Sequence, residues 1–156
     1  MSDDVDLIDI HLLQLPLDVL SRAQERSAEL SREFSHIAET HSGSAPARLE
    51  ALSQHLRSQY GSHVTPAQAA IDAAMDRGDA TIDVTFRVPR SVGPASEGLL
   101  AILAESDEFC RSGALLTLAT PPDLVAFRHW YLGQFIRQAA GADPVPWPAF
   151  NHAVAR

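Results

Sequence analysis

Seven histidines (His11, His36, His41, His55, His63, His129 and His152), twenty acidic residues and one cysteine are the groups here that could move protons or hold a metal ion. Their spacing argues against both. Glu33-Phe34-Ser35-His36 supplies one Glu-x-x-His, whereas a carboxylate-bridged two-metal site needs two such motifs and further carboxylates. There is no His-Glu-x-x-His, and a single cysteine excludes a multi-cysteine zinc site. Cys110 follows Asp107 and Glu108 and precedes Arg111. A reactive thiolate wants positive surroundings, so this thiol reads as a small apolar side chain near a helix end. Nucleophile elbows, phosphate-cradling glycine loops and dinucleotide fingerprints are all missing. All twelve basic residues are arginine, which removes the phosphate-loop lysine, the Schiff base and the lysine general base. No catalytic residue, metal or cofactor is therefore expected.

The chain has 156 residues, 46% of them apolar, enough for one domain with a real core. A formal charge of −8 opposes a polyanion, and no basic patch offsets it, so nucleic acid is not an expected partner. No apolar run reaches the length of a membrane span. The acidic start, Met1 to Asp6, differs from a secretory signal, and one cysteine suits a reducing compartment; a soluble, cytoplasmic protein is the expectation.

Residues that do no chemistry can still bind. Between Gly113 and Gly141 an apolar run, Ala114 to Ala119, leads through Thr120-Pro121-Pro122-Asp123 into a helix carrying Phe127, Trp130, Tyr131 and Phe135. On a helical wheel Leu124, Val125, Phe127, Tyr131, Leu132 and Phe135 fill the core half. Trp130 points away with Ala126, Gly133 and Arg137, and Arg128 lies near the edge. Small residues let another backbone approach, and Trp and Arg are enriched at binding hot spots, so this face reads as a docking surface. In the competing reading the proline-rich tail folds back, and Trp147 or its neighbouring prolines cover Trp130. A third reading places a pocket under the helix, lined by Tyr131, Trp147 and Arg128 and suited to an anionic planar ligand.

The elements that must position these residues follow from periodicity. Val5 to Leu15 reads as a strand stopped by Pro16, and Leu17 to about Thr40 as a long amphipathic helix with one narrow apolar stripe. Leu49, Leu52, Leu56 and Tyr60 mark a second helix stopped by Gly61. Thr65-Pro66-Ala67-Gln68 resembles a capping box for a third, terminated by Gly78. Ile82 to Val88 alternates strictly as a half-buried strand ended by Pro89. A loop with Gly93 and Pro94 leads to a helix through Leu99, Leu103 and Phe109, followed by the strand and helix already described. The expectation is one α/β domain over residues 1–141, ordered β-α-α-α-β-α-β-α. Its small three-stranded sheet is at least partly parallel, the second and third strands being joined by a right-handed crossover. Residues 142–156 form an extended, proline-rich tail.

Three blocks, Asp107 to Arg111, Leu115 to Pro122 and Phe127 to Phe135, resemble a group of small uncharacterised actinobacterial proteins. The long helix, with Arg22-Ala23-Gln24-Glu25 and Glu29 to Phe34, is similar too. The resemblance implies association with anti-sigma-factor kinases, their antagonists and PP2C-type phosphatases of the general stress response. Some members carry an ATP-binding label, but this chain has neither the asparagine box nor the glycine-rich lid of that kinase fold. The reading is a non-catalytic regulatory protein working by contact with a protein partner, such as an anti-sigma-factor kinase or its antagonist. The alternatives are a small-molecule sensor or minor enzyme, and a homodimeric scaffold built on the first helix.

Overall fold

The computed structural model describes residues 6–40, 43–113 and 119–148. Its elements run β1 (Leu7–Pro16), α1 (Leu17–Thr40), α2 (Ala45–Arg77), β2 (Thr81–Pro89), α3 (Val92–Ser112) and α4 (Pro122–Ala139). Among the described residues the sheet has two strands, β1 and β2, and they pair antiparallel. The expected three-stranded, partly parallel sheet is thus overturned. Among the described residues no strand stands between α3 and α4 to receive the crossover, and between the two strands present α1 runs out and α2 runs back, with Ser31 hydrogen-bonded to Glu50 at the far end. The chain therefore re-enters the ribbon where it left, and Leu17 N–H bonds to Ala80 C=O. Of the expected third strand, residues 114–118 lie outside the described residues. Ala119 packs instead against a helical core cluster.

The two middle helices expected from sequence are a single helix, α2. Ser44 caps its start, its side chain accepting from Ala47 N–H, and Gly78 ends it with φ 77°, a left-handed conformation glycine adopts freely. Gly61 does not stop the helix, and Thr65 does not cap a new one: its hydroxyl donates to the Gly61 carbonyl one turn back. Pro66 lies inside the helix on its exposed side, and the helix continues through it. At α3 the helix begins earlier than its leucines suggest and takes in Gly93, which packs closely against α4. A Cβ there would stand 2.8 Å from Ala139 Cβ.

Strict alternation in β2 turns Val84, Phe86 and Val88 inward, and Ile10, Leu12 and Leu15 of β1 join them. This apolar side of the ribbon rests on α2 and α4 and forms the main core with Tyr60, Ile71, Phe127, Trp130 and Phe135. A second cluster of Phe34, Leu49, Ile102 and Cys110 closes the far ends of α1, α2 and α3. No helix of the described residues is long and apolar enough to cross a membrane.

The free edge of β1 is closed by a side chain. Gln138 of α4 accepts from His11 N–H at 2.8 Å and donates to His11 C=O at 2.9 Å, acting as one peptide unit of a missing strand. Gln138→Leu keeps the volume but leaves two half-buried backbone groups unpaired. It should lower the unfolding free energy by about 1–3 kcal/mol in urea titrations, with an unchanged far-ultraviolet circular dichroism spectrum.

Candidate functional site

Pro121 and Pro122 end the preceding segment and start α4, with Pro122 in the first turn where a missing N–H costs nothing. Asp123 follows, favoured by the positive helix end, and Arg22 of α1 binds it at 2.8 Å. That hydrogen bond holds the Asp123 carboxyl below its ordinary range.

The inner side of α4 is aromatic. Phe127, Trp130 and Trp147 form a triangle with ring centroids 5.5 to 5.9 Å apart. Phe135 meets Phe86 of β2 edge-on at 5.2 Å. Trp130 does not face solvent, as the wheel implied; it is fully buried. The chain's own tail covers it: Trp130 Nε1–H donates to Val145 C=O at 2.7 Å, and Trp147 lies against its ring. Val145 N–H donates to Gln134 Oε1 at 3.0 Å, and that oxygen also accepts from Gln138 at 2.8 Å. The wheel went astray because Gln134 and Gln138, polar by type, are buried; they rotate the core-facing arc towards Trp130. The readable signal was two amides four residues apart, interleaved with aromatics, on one helix.

With Trp130 covered, three of the other docking residues still meet. Ala126, Gly133 and Arg137 line a shallow cleft of about 510 Å³ on the outer side of α4, with Val125, His129 and Ile136 and with Leu100 of α3. The Arg137 guanidinium folds back over Gly133, 3.3 Å from where a Cβ would stand, so glycine is what lets it lie flat there. Arg137 makes no ion pair with a described residue, and its side chain borders an apolar surface.

Arg128 belongs elsewhere. Its Nη1 meets Asp107 at 3.0 Å and its Nη2 donates to Thr120 Oγ1 at 2.7 Å. Thr120 donates to the same carboxylate from both its backbone N–H and its hydroxyl. The pair is largely buried, at 13% and 10% side-chain exposure. It staples the end of α3 to the first turns of α4. Arg26 of α1 adds a bond to Ala119 C=O at 2.7 Å. Beside this staple Cys110 is fully buried, and burial followed by the Asp107 charge raises its thiol. It is not poised for reaction.

The pocket expected from Tyr131, Trp147 and Arg128 is divided. Tyr131 and Arg128 line a groove of about 250 Å³ between α1 and α4, with Leu20, Ala23 and Leu30, whereas Trp147 packs on Trp130 instead. Asp107 pairs with Arg128 at 3.0 Å, and Arg26 lines the same groove. No group of three or more His, Cys, Asp or Glu able to hold a metal occurs among the described residues. His11 bonds Thr85 through its ring at 2.9 Å, and His36 lies exposed beside Glu39; His41 and His152 lie outside the described residues.

Asp107→Ala strands the Arg128 charge in a site with little solvent. It should cost about 3 kcal/mol of stability by urea denaturation, far more than Asp123→Ala at the exposed pair with Arg22. Burial also pushes the Tyr131 hydroxyl up to about 12. The folded state then keeps a proton that the unfolded chain releases near pH 10, so stability is intact below that pH and falls as pH rises towards 12. Tyr131→Phe should flatten this alkaline decline in midpoints measured against pH.

Compared with protein-family models, with curated protein sequences and with solved structures, the chain matches none.

Proposed function

We propose that this chain is a non-catalytic regulatory protein that acts by protein–protein contact, and that the outer cleft of α4 is its docking surface. The observation that carries the reading is the pairing of an apolar cleft, formed by Leu100, Val125, Ala126 and Ile136, with an arginine engaged by no described carboxylate. Arginine beside apolar surface is the hot-spot composition of protein interfaces. The occupant is an apolar segment bearing a carboxylate for Arg137. At longer range, a formal charge of −8 favours the approach of a partner that is basic overall.

The buried polar groups fit the same reading. Asp107, Arg128 and Gln138 all hold elements together. The resemblance to the stress-response group supplies the partner class: an anti-sigma-factor kinase or its antagonist, in a partner-switching circuit.

Pairwise two-hybrid and co-purification assays against the host's anti-sigma-factor kinases and their antagonists test this. One of them should bind, and Ala126→Arg or Arg137→Glu should reduce binding at least tenfold while the thermal midpoint stays within a few degrees. Binding to none of them, or binding indifferent to both substitutions, overturns the assignment.

A further inference from the structure

The two edges of the β-ribbon are treated differently. Asp6 C=O accepts from Arg90 N–H, and Leu17 N–H donates to Ala80 C=O. With the recorded register, even-numbered residues of β2 therefore point their backbone groups at β1, and Thr81, Asp83, Thr85 and Arg87 point theirs outward. On β1 the outward groups of His11 are taken by Gln138, and a bulge between Leu12 and Leu15, with Gln14 at φ 55°, distorts the rest of that edge. On β2 the outward groups of these four residues make no hydrogen bond to a described residue. Natural proteins blunt such edges with charged side chains, lysine above all, with internal proline or with a bulge. β2 has no lysine, bulge or proline before its last residue, Pro89, and its two charged side chains are of opposite sign.

The side chains along that edge are self-complementary. Asp83 and Arg87 are the two charged residues of β2; they stand on its solvent side, both exposed, two residues either side of Thr85. If a second β2 runs antiparallel with Thr85 opposite Thr85, each Asp83 lies opposite the partner's Arg87. Centring the pair on Asp83 or on Arg87 instead sets like charges against each other. The Thr85-centred register alone sets Asp83 directly opposite Arg87. It also brings the outward N–H and C=O groups of three residues per chain into phase, for about six interchain hydrogen bonds. Arg87 already bonds Asp9 across β1 at 2.9 Å, and Asp83 Oδ1 accepts from Gln14 N–H of β1 at 2.7 Å, so each charge would be shared between β1 and the partner strand.

We propose that two copies of this chain pair through β2, centred on Thr85, to make a four-stranded antiparallel sheet ordered β1-β2-β2-β1. The contact is isologous, as a two-fold dimer requires. It uses a different surface from the α4 cleft, so either can fail without the other.

Sedimentation equilibrium over a dilution series should show twice the monomer mass of 16.9 kDa at high concentration. Asp83→Arg and Arg87→Asp should each be monomeric, since each sets like charges opposite one another. An equimolar mixture of the two variants should recover a dimer, because the basic edge of one then meets the acidic edge of the other. Hydrogen exchange on the unmodified protein needs no variant: the Thr85 and Arg87 amides should be protected at high concentration and exchange fast on dilution. A wild-type monomer at every concentration, a dimer that survives both substitutions, or fast exchange of both amides throughout overturns the proposal.

Discussion

Everything in this molecule hangs on the pairing of two side-chain amides with main chain. Gln138 completes the β1 edge at His11 and passes a hydrogen bond to Gln134, which in turn holds Val145 of the tail. A two-stranded ribbon is marginal in water by itself, and a proline-rich segment makes no regular hydrogen bonds of its own. The amides join both to a helix whose aromatic side is already buried. Buried amides are costly unless bonded, so once α4 seats on the ribbon the tail is drawn to one place. Gln134 Oε1 accepts two donors and so fixes the orientation of that amide. Its Nε2 is buried with no partner among the described residues, a local cost of the arrangement.

What the sequence disclosed and what it concealed divides along local and non-local lines. The long helix after Pro16, the alternating strand at Ile82 to Val88 and the left-handed stop at Gly78 are local in origin: periodicity and a glycine's freedom settle them. Gly61, Thr65 and Pro66 mislead because the packing of Tyr60, Ala67 and Ile71 in the main core outweighs their breaking tendencies, which reach about 3 kcal/mol at the proline. The sheet's direction was hidden, since it depends on α1 and α2 being antiparallel, and no local pattern records which way a helix pair returns. For the candidate site the same holds. Ala126, Gly133 and Arg137 were legible as one face, whereas the burial of Trp130 required knowing that two glutamines would turn inward.

A chain without lysine shows what arginine is used for when it is the only cation. Arg128 spans a carboxylate and a hydroxyl, and Arg90 bonds Asp6 and the Ala139 carbonyl at the end of α4. Arg26 reaches a backbone carbonyl. In each case a planar fork with several donors ties together two or three segments distant in sequence, which a single ammonium does less well. At Arg90 the charge also meets the negative end of α4, so the same side chain closes the ribbon and caps the helix.

Arg137 breaks this pattern, and the break bears on function. Its guanidinium lies over Gly133 in an apolar cleft and joins no described segment to another. A larger residue at 133 would lift the fork away from the helix, so the glycine preserves a flat, charged floor rather than a turn. The place of Arg137 in the last turn of α4 still sets the charge near the negative end of that helix, while the apolar lining around it is the exposed surface on which the proposed contact rests.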